Sequence, residues 1–157
     1  MTSRQHNDIV VLMLPDFDPA TGYLPAGVHP ADWGEISSRF GTNSHRARLL
    51  DGLGRAVRVL AGAGCRTVLL DGSFVSNKPL PDDYDAAWDP AGVDPGKLDS
   101  VLLDMKNKRA AMKVKYGGEF FPATAHAAPG IRYREFFQAD RNGVVKGVVE
   151  IDLRKLP

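Results

Sequence analysis

Apolar and polar positions alternate along this chain with two different periods. Leu49, Leu50, Leu53, Ala56, Val57 and Leu60 recur at helical spacing, which predicts an amphipathic helix over roughly residues 45–63 with Ser44 as its N-cap. Arg46, Arg48, Arg55 and Arg58 occupy its other faces, and Gly62 and Gly64 supply the stop. A shorter helix is predicted just upstream. There Pro30 suits the first turn, Trp33, Ile36 and Phe40 share one face, and Gly41 ends the run. Buried strands are read at 66–71, through Thr67-Val68-Leu69-Leu70, and at 84–88. A third strand, 148–153, alternates Val149, Ile151 and Leu153 with the acids Glu150 and Asp152.

Elsewhere the pattern is weaker. Residues 9–14 form an apolar run that suits a strand or an anchoring arm, and 15–30 is rich in proline and glycine and reads as irregular. After a loop at 89–96, Leu98, Val101, Leu102 and Met105 fit a helical face. A basic helix at about 107–116 follows and breaks at Gly117-Gly118. Residues 133–138 suit a short helix or a strand, and Asn142-Gly143 is a turn signal. A helix running straight into a buried strand implies layered α/β or α+β packing. The expectation is one domain over 1–157, a mixed sheet with flanking helices, preceded by an irregular arm of about 30 residues.

Composition narrows the function classes. With 157 residues there is room for about one domain, and 43% hydrophobic with 25% charged residues is ordinary for a globular chain. Twenty basic and 19 acidic residues leave a formal charge of +1, so no global pull toward nucleic acid or an anionic membrane is expected. The apolar run at 9–14 is too short for a membrane span. Cys65 stands alone, which excludes an internal disulfide and reads as a buried thiol, and the four histidines lack metal-site spacing. These features point to a soluble protein of a reducing, cytoplasmic compartment.

The chemistry concentrates in Leu69-Leu70-Asp71-Gly72-Ser73, nine intervening residues, and Asp83-Tyr84-Asp85. On a strand, Asp83 and Asp85 share one face about 7 Å apart, close enough to share divalent cations. Mg²⁺ (or Mn²⁺) suits an all-oxygen site that must exchange phosphates. A Gly-Ser step directly after a buried strand can offer backbone N–H groups and a hydroxyl to a phosphate. Two plainer readings stand beside this one: aspartates are common in solvated turns, and Gly-Ser also makes a tight strand exit. Ser73 lacks the second glycine of a hydrolase elbow, and no phosphate-binding GxxxxGK[ST] loop is present.

This pattern resembles the polymerase-β-like nucleotidyltransferase superfamily: a hydrophobic strand, Gly-Ser, a short spacer, then acid–hydrophobic–acid. Asp71 departs from it, since an apolar residue usually precedes the glycine, and Asp82 beside Asp83 leaves the register open. The resemblance implies a minimal nucleotidyltransferase-like fold in which Asp83 and Asp85 bind the metals and Gly72 and Ser73 hold the triphosphate. A third carboxylate is implied on a neighbouring strand. Glu150 or Asp152 is the candidate for it and for the general base, unless that strand simply shows its acids to water. The chain as a whole also resembles a small bacterial and phage family near that superfamily. The similar segments are residues 22–29, 72–75 and 115–122, with Phe136-Phe137-Gln138 and Lys146-Gly147-Val148-Val149.

Lys106, Lys108, Arg109, Lys113 and Lys115 make a local basic run that suits a triphosphate or an RNA backbone, or else a solvated helix face. Lys113 is taken as the nucleotide-binding candidate. Trp33 and Trp88 read as core or interface aromatics, with Trp88 also able to stack a base from a strand bordering the site. The expected activity is metal-dependent transfer of a nucleoside monophosphate from a nucleoside triphosphate to an RNA, protein or small-molecule acceptor. The alternative is a catalytically silent binding module on the same fold, of the toxin–antitoxin or phage-defence kind, holding RNA or protein. Metal-dependent phosphohydrolysis is a third possibility.

Overall fold

A computed structural model describes residues 14–157 and has a mixed α+β architecture. Strands β1 (Gly27–Pro30), β2 (Thr67–Asp71), β3 (Tyr84–Trp88), β4 (Gly118–Pro122) and β7 (Gly147–Asp152) form one sheet in the order β1-β7-β2-β3-β4. The three central strands pair antiparallel, whereas β1–β7 and β3–β4 are parallel. Strands β5 (His126–Ala128) and β6 (Ile131–Arg132) make a separate two-stranded sheet, followed by the single turn α4 (Tyr133–Phe136).

Helices α1 (Trp33–Phe40), α2 (Ser44–Gly62) and α3 (Lys106–Tyr116) bury their apolar stripes on one face of the sheet. Ile36, Phe40, Leu53, Val57 and Leu60 meet Val68 and Leu70 of β2, Tyr84 and Ala86 of β3, and Val149 and Ile151 of β7 in one core. Phe40, Phe74, Tyr84 and Phe120 follow one another through that core with ring centroids 5.7–6.1 Å apart. The opposite face is covered only in part. There Leu69, Ala87, Phe121 and Val148 pack under Phe137 and Tyr133 of the excursion between β4 and β7.

The three strands expected from apolar runs are present, and so are the two helices expected from helical spacing. Asn43 caps α2 in place of Ser44, its carboxamide accepting from Arg46 N–H at 2.8 Å. Strand β1 lies inside the stretch expected to be irregular. It is held by four residues of β7 rather than by any local pattern. The expected helical face at Leu98–Met105 holds one short 3₁₀ turn, Ser100–Leu103, capped by Asp99, and a second such turn, Pro95–Lys97, capped by Asp94, precedes it. Strand β4 was not foreseen. Gly118 opens it, and a Cβ there would stand 2.3 Å from the Tyr84 ring, so only glycine lets β4 lie against β3 at that level. Residues 9–13 of the first apolar run lie outside the described residues, while Leu14 is buried. Cys65 is buried as expected, with desolvation pushing its thiol up to about 11. Among the described residues, no helix is long and apolar enough to cross a membrane.

Candidate functional site

Strand register assembles the acids. Asp71 at the end of β2 pairs across the antiparallel ladder with Asp85 of β3, and Asp85 pairs across the parallel ladder with Glu119 of β4. Strand alternation turns all three away from the helices, because their neighbours Leu70, Tyr84 and Phe120 fill the helix-side core. Asp83 lies just ahead of β3 with the buried Tyr84 between it and Asp85, so the two aspartates share a side. Gly72 then closes one end of the row. Its φ of +95° favours glycine, and a Cβ there would sit 3.4 Å from both the Asp85 amide nitrogen and its Oδ2. Ser73 opens a 3₁₀ turn, Ser73–Val75, whose closing bond runs from Val75 N–H to the Gly72 carbonyl at 3.1 Å.

Behind this turn lies Arg46, which was expected on a solvent-facing side of α2 but is 3% exposed. Its guanidinium donates to the carbonyls of Phe40, Phe74, Ser76 and Lys78 at 2.6–3.1 Å, and more loosely to Ser73 at 3.4 Å. It also lies over the Phe74 ring, 5.2 Å from the centroid. The carbonyls of the segment after Gly72 are therefore drawn inward onto α2. The reading that set Arg46 on another face is corrected by helix geometry itself: seven residues before Leu53 is two turns along the same buried face, where free carbonyls take up the donors of its guanidinium.

The electrostatics follow from crowding. Burial first, then the charges of Asp71, Asp83 and Glu119, push Asp85 up to about 7. Asp83 is raised by burial and by Glu119, with Lys113 opposing, and Asp71 is raised by burial against the pull of Lys146. Lys146 Nζ lies 2.9 Å from Asp71 Oδ1 and donates to Oδ2 at 3.1 Å, leaving Oδ1 buried without a hydrogen bond of its own. Glu119 Oε1 accepts from Arg109 Nε at 2.6 Å, and Lys113 Nζ stands 3.7 Å away. Arg109 reaches it from a left-handed turn. Asn107, Lys108 and Arg109, at the start of α3, all have φ between 51° and 61°, a conformation costing about 1–2 kcal/mol per residue outside glycine.

These acids form an all-oxygen donor set whose mutual repulsion a divalent cation would relieve, which is the chemistry Mg²⁺ or Mn²⁺ requires. Among the described residues, no three acid, histidine or cysteine side chains already converge as a ready-made cage. Asp83, Asp85 and Glu119 are the residues that could hold the ion, with Asp71 engaged by Lys146.

The structure brings together Gly72, Ser73, Asp83 and Asp85, and it sets Lys113 at the rim beside Glu119. It does not bring Glu150 or Asp152 to them. Both lie on the same sheet face, but Glu150 pairs with Leu69 and Asp152 with Thr67. At ordinary strand spacings these positions are about 12 Å and 17 Å from Asp85 along the backbone. They line a different cavity, beside Asp32, Trp33 and Lys155. Asp152 caps the last 3₁₀ turn and pairs with Arg154, which holds its carboxyl below the usual range. Trp88 points into the helix-side core, away from the acids. Sequence reasoning missed Glu119 and Lys146. The signal for Glu119 was an acid directly after Gly117-Gly118 and before Phe120-Phe121, the opening of a strand. Asp71 stood out only as a departure from a pattern.

Comparison with curated proteins and with solved structures finds no match to this chain. A family profile does match, over residues 15–152, and spans both the acid row and the excursion that covers part of its face. By that match the chain belongs to a family of unknown function, DUF6932.

Proposed function

We propose that the acid row is a nucleotidyl-transfer site. A nucleoside triphosphate binds against Gly72 and Ser73, and its nucleoside monophosphate passes to a hydroxyl acceptor. The observation that carries this reading is the contact between the two halves of the sequence pattern, since Gly72 lies against Asp85 across the β2–β3 pair. Mg²⁺ or Mn²⁺ would be held by Asp83 and Asp85, with Glu119 as the third carboxylate in place of Glu150 or Asp152. When bound, it supplies charge neutralisation for the phosphates.

The chain's own residues do the rest. The bare Cα of Gly72 leaves room for a phosphate oxygen to approach the backbone, as happens in phosphate-binding loops. Lys113 and Arg109 stand where the leaving pyrophosphate would build up negative charge. As the acceptor oxygen bonds to the α-phosphorus, the bond from that phosphorus to the pyrophosphate oxygen breaks. The acceptor's proton passes to a carboxylate of the row.

The test is the thermal stability of wild type and Asp85→Asn with each nucleoside triphosphate, with and without Mg²⁺ or Mn²⁺. A ligand at a hundred times its dissociation constant adds about 2.7 kcal/mol, easily read as a melting shift. The expected result is a shift in wild type that needs both nucleotide and cation and is lost in Asp85→Asn. No shift with any pair would overturn the reading. One observation favours a second reading, a catalytically silent module that holds RNA or protein: Lys146, Arg109 and Lys113 already neutralise Asp71 and Glu119 within the fold. On that reading, nucleotides give no shift and a macromolecular partner does.

A further inference from the structure

The excursion between β4 and β7 builds a second feature against the acid row. Its α4 turn sets Tyr133 face to face with Phe121 of β4, centroids 4.2 Å apart and planes 17° from parallel. Phe137 meets both rings edge-on, at 6.2 Å and 5.8 Å. Phe136 stands edge-on to Tyr133 at 6.2 Å but remains 50% exposed, so it is the ring of this array with a large free surface. These rings and Ala127 line a cavity of about 270 Å³ together with Asp85, Glu119 and Arg109, whose guanidinium lies over the Phe121 ring 5.2 Å from its centroid.

The shape and chemistry of the cavity restrict its occupant. Sites for drug-sized ligands run to about 300–1,000 Å³, so this one accommodates a single ring system and not a whole nucleotide. The aromatic part of the lining favours a flat π-face. The polar part is two carboxylates, which accept hydrogen bonds, and one guanidinium, which donates through the N–H groups not given to Glu119. The complement is a flat heterocycle with amino hydrogens along one edge and an acceptor beside them. Adenine, guanine and cytosine carry such exocyclic amino groups, and uracil does not. Arg109 belongs both to this wall and to the basic run at the start of α3, which continues outward through Lys108. A ring-stacking surface beside a cationic track is the arrangement that seats a base and its phosphate together.

We infer that this cavity is a nucleobase-binding subsite, in which an amino-bearing base lies on Phe136 with its polar edge toward Asp85 and Glu119. The base belongs either to a free nucleoside or nucleotide or to the end of a strand. Only its part in nucleotidyl transfer rests on the function proposed above. The binding itself needs neither a metal nor a triphosphate.

The experiment measures binding by saturation-transfer NMR in metal-free buffer. The probes are adenosine, guanosine, cytidine, uridine and a short oligoadenylate, with N-acetyltyrosinamide as a phenolic control. The variants are Phe136→Ala, which removes an exposed ring, and Ala127→Leu, which fills the cavity from its opposite edge. Melting curves verify that each variant is folded. The expected result is saturation transfer to amino-bearing nucleosides in preference to uridine, weakened about tenfold in Phe136→Ala and abolished in Ala127→Leu. Binding of the oligonucleotide alone, with the same sensitivity to both variants, supports the subsite and assigns it to a strand end. The subsite is overturned if no base binds at millimolar concentration, if neither variant weakens binding, or if only the phenol binds. Nucleosides that bind while triphosphate and cation give no melting shift would leave the subsite standing and remove the transfer reaction. A cation-dependent triphosphate shift untouched by Phe136→Ala, with no nucleoside binding, would do the reverse.

Discussion

The Arg46 guanidinium finds its hydrogen bonds among main-chain carbonyls, beneath the turn that carries Gly72 and Ser73. Each of those carbonyls is itself in need of a donor, since an unpaired buried polar group costs about 1–3 kcal/mol. Replacing Arg46 with Met would take the guanidinium away from the Phe74 ring and orphan the carbonyls of Phe74, Ser76 and Lys78 together. The expected loss is about 3 kcal/mol or more in urea unfolding, with Arg46→Lys intermediate because a lysine has three donors to share. An unchanged midpoint in Arg46→Met would mean that the segment after Gly72 is held by something else. Its position was legible, because seven residues before Leu53 is two turns along the same face of α2. What the sequence concealed is the hydrogen-bond need, in a segment some thirty positions away, that lets an arginine occupy that face.

At the scale of elements, β4 shows what decides whether a strand forms. Its apolar content is only Phe120-Phe121, too short to stand out, and it exists because β3 offers a parallel edge and Gly118 leaves room for the Tyr84 ring. Gly118→Ala would drive a methyl into that ring. The expected cost is about 2–3 kcal/mol, because a packed core has no slack for an added carbon. Amide exchange should show the protection lost first along β4 and then along β3, and full protection of β4 in the variant would contradict this packing. Elements with their own signal were legible: α2 from six apolar positions at helical spacing, and β2 and β7 from β-branched runs. Those made by partners were not. β1 needs β7, and the left-handed opening of α3 suits Asn107 but not Lys108 and Arg109. The candidate site divides the same way. Gly72, Asp83 and Asp85 are near in sequence and were seen together, while Glu119 and Lys146 reach them only through the order of strands.

Over the whole molecule, the charge of the acid row is balanced within the fold by Lys146, Arg109 and Lys113, but among the described residues Asp85 itself has no ion-pair partner and carries the strain of the cluster. Its proton affinity is higher folded, at about 7, than unfolded, where an aspartate titrates near 4. Between those values the native state holds a proton that the unfolded chain has released, so this group's contribution to stability falls as pH rises from about 4 to 7. Asp85→Asn should therefore melt higher than wild type above pH 7, with the difference closing toward pH 4. Melting curves across that range test it, and a difference that grows on acidification would contradict the buried, crowded position of this carboxyl. The sheet order that sets up the crowding was beyond sequence reasoning. Mixed topology was expected in outline, but three of the four ladders that set the order of strands pair residues 34 to 120 positions apart.

The same order has a consequence for how the protein is made. β7 lies between β1 and β2, yet the ribosome produces it some 75 residues after β2 and well over a hundred after β1. Until it arrives, β1 has no strand to pair with and one edge of β2 stays bare, while β2, β3 and β4 can already assemble against the helices. The nascent chain therefore carries an open strand edge through much of its synthesis, the kind of edge that recruits strands from other chains. A delay in translation between residues 123 and 146 would prolong that exposure, and a chaperone able to cover the bare side of β2 would have its greatest effect in that interval.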